Sequence, residues 1–397
     1  MAALTAAGGE GCARFVGGCV RDSLLRRPVG DIDIATTLAP DETTAALRTA
    51  NLKAIPTGAE HGTITAVADG KPFQITTLRR DVETDGRHAV VAFTDDWAED
   101  AARRDFRLNA LYADIAGHVF DPTGAGLSDL AAGAIVFVGD PATRIREDAL
   151  RIPRFFRFMA WHGRGEPDAA ALAACAELRE LIAGLSGERL AKELLGLLAA
   201  EDPRPAMRLM AGTGVLGEIL PDADGLERFD RLVEIENDQL FTNDPLLRLA
   251  SLLSSDPAAG MRTAARLRLS NTARDRLAAA LEAEPALRSW MSPREVRRAV
   301  WRLGAATLCD RAMLAWASLP TPAAGMQWRA LLPMARGWMP PTFPLTGADV
   351  LAAGAPPGPM VGAVLREVEA WWIDADFPGD RLSAIERLKA VVQGMVY

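Results

Sequence analysis

Cysteine and histidine are scarce in this chain of 397 residues, and long apolar runs are missing altogether. The four cysteines, Cys12, Cys19, Cys175 and Cys309, form neither a Cys-x-x-Cys pair nor a dense framework, so a disulfide scaffold is excluded and a reducing compartment is expected. Histidine stops at His162, after His61, His88 and His118, which excludes a histidine-ligated metal site in the C-terminal part. Without an uncharged apolar stretch no membrane span is expected, and a mean hydropathy of +0.05 excludes a disordered chain. The first residues show no basic segment followed by an apolar one, so no secretory signal is read and a cytoplasmic location is expected. A net charge of -8 argues against a protein that coats nucleic acid nonspecifically, while leaving room for a local basic groove. No internal repeat is visible, and nothing in the sequence specifies an oligomeric state.

What is present has two textures. Up to about residue 140, short β-rich segments bounded by Gly, Asp or Pro predict strands at 14–16, 32–34, 64–67, 73–76 and 112–115. After Pro141 the periods become helical. Asp168 follows a proline as an N-cap, with Leu172, Cys175, Leu178 and Ile182 as one apolar stripe. Asp244-Pro245 opens another helix with Leu246, Leu249, Ala250 and Leu253 on one face, and Asp256-Pro257 is expected to stop it. Dense Pro and Gly between Pro320 and Pro359 predict a loop-rich connection. The fold class that follows is α+β: a part with a small mixed sheet over residues 1–140, followed by an all-helical part over 141–397.

The chemistry concentrates in the first part. In Gly30-Asp31-Ile32-Asp33-Ile34, alternation places both carboxylates on one strand face and both isoleucines in the core. Two such acids repel unless a cation lies between them, and closely spaced oxygen ligands suit Mg²⁺. Upstream, Phe15-Val16-Gly17-Gly18-Cys19-Val20-Arg21-Asp22 reads as strand, glycine turn and helix start, where N–H groups and Arg21 can meet a triphosphate. Together they form a metal–nucleotide pair of motifs.

These residues resemble the opening motif of class II tRNA nucleotidyltransferases and bacterial poly(A) polymerases, in the polymerase-β-like nucleotidyltransferase superfamily. The resemblance continues in order through Arg103-Arg104-Asp105-Phe106-Arg107-Leu108-Asn109-Ala110, similar to the family's second motif. It then runs through Asp121-Pro122-Thr123-Gly124 with Asp129-Leu130, Glu147-Asp148-Ala149-Leu150-Arg151, and Gly187-Glu188-Arg189-Leu190, covering residues 12 to 215. It implies that Asp31 and Asp33 hold two Mg²⁺ ions and are catalytic. It further implies that Gly17, Gly18 and Arg21 bind phosphates, and that Arg104, Asp105 and Asn109 contact triphosphate and ribose. Asp148 and Arg151, read as i, i+3 on one helix, would address the base edge shared by cytosine and adenine, an exocyclic amine beside a ring acceptor. Arg154 and Arg157 would also contact the nucleotide.

Three positions depart from the family pattern. Gln74 stands where a third carboxylate is often found, Arg107 replaces a small hydroxyl residue, and Pro153 replaces a helix-favouring apolar residue and is expected to kink its helix. His61-Gly62-Thr63-Ile64-Thr65 resembles the tRNA nucleotidyltransferase version of that strand. Residues 79–93 resemble the flexible loop that enzymes adding the full CCA retain. CCA addition to tRNA from CTP and ATP is therefore the expected activity, with a poly(A) polymerase or a catalytically inactive RNA-binding scaffold as alternatives. Between Met261 and Gly304 ten arginines face four acids, and Arg262, Arg266, Arg268 and Arg274 are expected to track RNA phosphates. Glycine turns between Thr346 and Pro359 are a further candidate for phosphate contact.

Overall fold

Short β-rich segments punctuated by glycine and acidic turns assemble the N-terminal part around a seven-stranded mixed sheet. The computed structural model describes residues 1–58, 62–84, 89–239, 241–320 and 325–395. The first elements are α1 (Ala2–Gly8), β1 (Ala13–Val16), α2 (Gly18–Leu24), β2 (Asp33–Thr36), α3 (Pro40–Thr49), β3 (Lys53–Gly58), β4 (Thr63–Ala68) and β5 (Lys71–Thr77). They continue with β6 (Arg79–Thr84), β7 (Ala89–Phe93), α4 (Trp97–Ala102), β8 (Tyr112–Ala113) and β9 (Val119–Phe120). Strand order is β3-β4-β5-β2-β1-β8-β9; β2 and β5 run parallel, and the other neighbours are antiparallel. Strands β6 and β7 form a separate ladder, and the Gly86 and His88 of the loop between them, like His61, lie outside the described residues.

Alternation along β2 sorts its residues between two apolar layers. Ile34 packs with Leu4, Leu47, Ile64 and Ile75, whereas its neighbour Ala35 packs with Val16, Leu78, Ala110 and Tyr112. The strand starts one residue later than predicted, at Asp33, so Asp31 and Ile32 precede the ladder. The strand predicted at 112–115 ends at Ala113, because the Asp114 carboxylate accepts from the N–H groups of Ala116 and His118 and turns the chain.

The helical part begins with α5 (Gly126–Ala132), α6 (Pro141–Glu147), α7 (Arg151–His162), α8 (Ala169–Glu177), α9 (Gly187–Leu198), α10 (Arg204–Gly212) and α11 (Val215–Ile219). Met1–Ala223 and Arg266–Arg268 form one compact unit; Asp224–Ala265 and Leu269–Tyr397 form another. Asp140 and Asp168 cap α6 and α8 by accepting from Thr143 and Ala171. The stripe expected from Leu172 to Ile182 does not belong to one helix, since α8 ends at Glu177 and a 3₁₀ segment spans Arg179–Gly184. Pro153 sits in the first turn of α7, where the missing N–H would have no helical partner, so no kink arises there.

The second unit comprises α12 (Leu226–Asp238), α13 (Pro245–Leu252), α14 (Pro257–Arg266, its last residue belonging to the first unit), α15 (Asn271–Leu281) and α16 (Pro293–Leu303). It ends with α17 (Ala305–Ala317), α18 (Met326–Gly337), α19 (Gly347–Ala352), α20 (Pro359–Asp374) and α21 (Arg381–Met395). Asp244 caps α13 as expected. Pro257 opens α14 rather than merely stopping α13, since proline is favoured in a first turn. Two helices, α18 and α19, occupy the stretch predicted to be loop-rich. No helix among the described residues is long and apolar enough to cross a membrane.

Helix α13 is buried nearly all round, and its Arg248, fully inaccessible, donates from Nε to Glu236 Oε2 at 2.6 Å. Burial pushes the Glu236 carboxyl upward against the opposing pull of Arg248. Removing one partner takes from the buried guanidinium the carboxylate that its Nε meets, so Glu236→Ala is expected to destabilise this unit by about 3–5 kcal/mol. Urea unfolding followed by circular dichroism measures it, and a loss below about 1 kcal/mol would contradict a buried pair of this kind.

Candidate active site

The turn from β1 into α2 depends on Gly17, whose φ of 74° lies in the left-handed region open to glycine. A Cβ there would lie 3.7 Å from Arg104 Nη1, so the turn and that guanidinium are neighbours. Gly18 opens α2, and Arg21 lies one turn further on. The Arg21 guanidinium binds Asp22 through Nε at 2.8 Å and donates from Nη1 to Asn109 Oδ1 at 2.6 Å. On the opposite side of β1, Asp33 stands at the start of β2, half-buried, with the exposed Asp31 two residues before it.

Burial raises the Asp33 carboxyl above the usual carboxylate range; Arg104 opposes the rise and the Asp31 charge adds to it. A half-buried acid whose charged form is disfavoured by burial, with a second acid beside it, is a state that a hard divalent cation relieves, and oxygen donors are what Mg²⁺ takes. The pair therefore fits Mg²⁺. Gln74 is level with Asp33 on parallel β5 and exposed, so it can add a neutral oxygen but no charge. No cluster of three or more His, Cys, Asp or Glu able to hold a metal occurs among the described residues.

Arg104 is clamped on its other side. Asp100, 1% exposed, accepts from Arg104 Nη2 at 2.9 Å, from Arg103 Nε at 2.8 Å and from the Tyr112 hydroxyl at 2.7 Å. Burial works to raise Asp100, and the two arginines and Tyr112 overcome it and hold the carboxyl low. Asp105 behaves alike: against its burial, Arg154, Asn109 and the Phe106 N–H keep it ionised. Its Oδ1 accepts from Asn109 Nδ2 at 3.0 Å and its Oδ2 from Arg154 Nε at 3.0 Å. Both ends of the Asn109 amide are engaged, Oδ1 by Arg21 and Nδ2 by Asp105.

The base-reading pair differs from the expectation. Helix α6 ends at Glu147, Asp148 is extended at φ −151°, and α7 begins only at Arg151, so the two residues are not i, i+3 on one helix. Asp148 Oδ2 accepts from Arg189 Nη2 at 2.8 Å, and its Oδ1 from the Leu150 N–H at 3.1 Å. Arg151 donates to Glu147 Oε2 and to the Arg144 carbonyl, both at 2.6 Å, and to the Arg103 carbonyl at 3.2 Å. Arg151 thus ties the start of α7 to the loop bearing Arg104. Arg154 and Arg157, which follow the proline, are anchored by carboxylates: Arg154 by Asp105, and Arg157 Nε by Glu193 Oε2 at 2.5 Å. Arg107, unexplained by the family pattern, lies 3.7 Å from Asp129.

Comparison with known proteins agrees with this geometry. Residues 13–136 match the poly A polymerase head domain, and residues 166–226 match the probable RNA and SrmB-binding site of polymerase A. The mitochondrial CCA tRNA nucleotidyltransferase 1 of Mus musculus is 33% identical over 377 residues, 90% of this chain and 82% of that protein. The chain belongs to the class II tRNA nucleotidyltransferase and poly(A) polymerase family. The CCA-adding enzyme of Bacillus licheniformis is 40% identical over 215 residues, 54% of this chain and 52% of that one. The solved CCA-adding enzyme of Bacillus stearothermophilus, in complex with CTP, superposes with a TM-score of 0.76 at 27% identity, over 97% of this chain and 93% of that one.

This nucleotidyltransferase site contains groups that pattern reading passed over. Asp100 precedes Arg104 by one helical turn, a spacing that signals a pair. Arg189 stood inside a recognised motif without a role. Glu193 carries no sequence signal, because a buried acid on an amphipathic helix looks like any polar position.

The arginine run is not one basic stripe. Arg266 donates to the Glu218 and Ile219 carbonyls at the end of α11, and Arg268 pairs with Glu188 at 2.9 Å, both within the first compact unit. Arg262 and Arg274 are exposed in the second unit, beside Asp256 and Asp275. Arg276 is held between Asp244 and Asp310. The turn at Thr346 is occupied by a capping box with Asp349, which leaves less of it for phosphate.

Proposed function

We propose that this chain completes the 3′ end of tRNA, adding C, C and A from CTP and ATP without a nucleic-acid template. The observation that carries the reading is the convergence, at one end of the central strands β1 and β2, of the Gly17 turn, the Asp31–Asp33 pair and the Arg104 guanidinium. Asp31 and Asp33 would hold two Mg²⁺ ions, and bound there the cation supplies Lewis acidity to the attacking hydroxyl and charge compensation to the departing pyrophosphate. The N–H groups at Gly17 and Gly18 and the guanidinium groups of Arg21 and Arg104 receive the triphosphate. Asn109 holds that cradle in shape by accepting from Arg21, and Asp105 in turn accepts from Asn109 and from Arg154. Asp148 offers the acceptor that an exocyclic amine of cytosine or adenine satisfies, and Arg154 and Arg157 contact the nucleotide from α7. Residues 1–140 act as catalytic head, 141–215 as the neck that selects the nucleotide, and 216–397 as the part that binds RNA. The names of the relatives support the choice of substrate.

Purified protein incubated with a tRNA transcript lacking its 3′ terminus, with Mg²⁺ and each labelled NTP, tests the reading. Addition of two cytidines and one adenosine is expected; a long adenosine tract, addition of cytidine alone, or no product would each overturn it. For the body, replacing Arg262 and Arg274 together by Ala is expected to weaken tRNA binding whatever its sequence. Each lost phosphate contact should reduce the slope of log affinity on log salt by about 0.7–0.9. Filter binding between about 50 and 200 mM salt, over which a linear slope is read, measures this. An unchanged slope would return both arginines to ordinary solvated surface.

A further inference from the structure

Three guanidinium groups surround a single phenyl ring. Phe158 on α7 is 4% exposed, and the guanidinium carbons of Arg157, Arg21 and Arg154 lie 4.7, 5.2 and 5.6 Å from its ring centre. Each arginine is also held by an acid: Arg21 by Asp22, Arg154 by Asp105, and Arg157 by Glu193. Each of the three like charges around the ring thus has a carboxylate beside it that offsets their mutual repulsion.

Helix α9 supplies the third of these anchors in an unusual form. The Glu193 side chain is 4% exposed; Oε2 accepts from Arg157 Nε at 2.5 Å and Oε1 from Arg154 Nη1 at 3.4 Å. One turn later comes Gly196, a glycine inside a helix, where alanine would be favoured by backbone entropy. A Cβ at Gly196 would lie 2.9 Å from Arg157 Cδ, so its absence makes room for the arginine stem. The Gly196 carbonyl accepts from Trp161 Nε1 at 2.7 Å, fixing the far end of α7 on the same turn. Glu193 and Gly196 are i, i+3 and share a helix face.

We propose that Glu193 and Gly196 form a seat on α9 that positions Arg157, and through Glu193 also Arg154, to meet the incoming nucleoside triphosphate. Both are positioning residues acting through the arginines, and the proposal rests on the reading that Arg154 and Arg157 contact the nucleotide. Nε of Arg157 faces the seat, which leaves the outer edge of a partly exposed guanidinium for the ligand. A small displacement of such a group costs nucleotide affinity while leaving tRNA binding alone.

The test is steady-state kinetics of the full chain with CTP and with tRNA as varied substrates, alongside melting temperature. Gly196→Ala keeps α9 and improves its helix propensity, so the melting temperature should hold or rise while KM for CTP rises roughly tenfold and KM for tRNA stays put. Glu193→Ala should raise KM for CTP similarly, and Glu193→Gln, which keeps an oxygen for Arg157 Nε, should recover most of the loss. Arg157→Ala serves as reference, and adding Gly196→Ala to it should cause no further change. If Arg157→Ala raises KM for CTP while Gly196→Ala and Glu193→Ala do not, the seat is overturned and the nucleotide contact stands. If Arg157→Ala itself leaves KM for CTP unchanged, the contact reading fails and takes the seat with it.

Discussion

Asp33→Asn is expected to cut nucleotide addition on the order of 10³-fold, the scale seen when a group acting on transition-state charge is removed. The substitution keeps size and planarity and deletes the charge that would hold Mg²⁺ beside Asp31. Its effect on the fold runs the other way. Asp33 has a raised carboxyl in the folded protein, so its contribution to stability is present at low pH and is lost as pH rises through the folded value. At neutral pH its ionised form therefore counts against folding, and Asn at this position should leave the melting temperature unchanged or higher. Activity and stability moving in opposite directions are the mark of a group kept for chemistry rather than packing. Single-turnover extension of a trimmed tRNA, with tRNA affinity and melting measured in parallel, checks the prediction. A near-normal rate would remove Asp33 from the catalytic centre.

The second large effect concerns choice of base. Asp148 is extended between α6 and α7, its carboxylate oriented by the Leu150 N–H and by Arg189. An acceptor-only group fixed in this way rewards an exocyclic amine and penalises a carbonyl, leaving groups unpaired at about 1–3 kcal/mol each. Asp148→Ala should therefore lower the preference for CTP over UTP by roughly ten- to a hundredfold, beyond any general loss of rate. Arg189→Ala removes the orienting partner and keeps the acceptor, so its loss of preference should be smaller. Incorporation of each of the four NTPs on tRNA ending before its first added cytidine separates these effects. A uniform fall with CTP preferred as before would place base selection elsewhere.

The difference between Arg151 and Arg189 shows where pattern reading fails. Linear spacing makes Asp148 and Arg151 look like one helix face, but no sequence rule says that α6 stops between Glu147 and Asp148. Once it stops there, Arg151 turns toward the carbonyls of Arg103 and Arg144, and Asp148 meets Arg189, 41 residues away in sequence. Pro153 failed as a predicted kink for the same reason, since α7 begins only at Arg151 and the proline falls in its first turn rather than its interior. The arginine run failed differently. Its charge is legible, but whether an arginine meets solvent or caps a helix end depends on what packs beside it, as Arg266 does at α11.

Residue order by itself determined the mixed head with its following helices, the position of the glycine turn before the paired acids, and membership of the family. Those are properties of local backbone preference, alternation and short motifs, which neighbours in the chain impose on each other. Tertiary structure alone decided which other polar groups are engaged: both ends of the Asn109 amide held by Arg21 and Asp105, Glu193 between two arginines, and Arg248 sealed against Glu236. A charged side chain reaches several ångströms in any direction and pairs with whatever the fold brings within hydrogen-bonding distance. Desolvation then decides the protonation and strength of that pair, and neither partner nor burial is encoded by position along the chain.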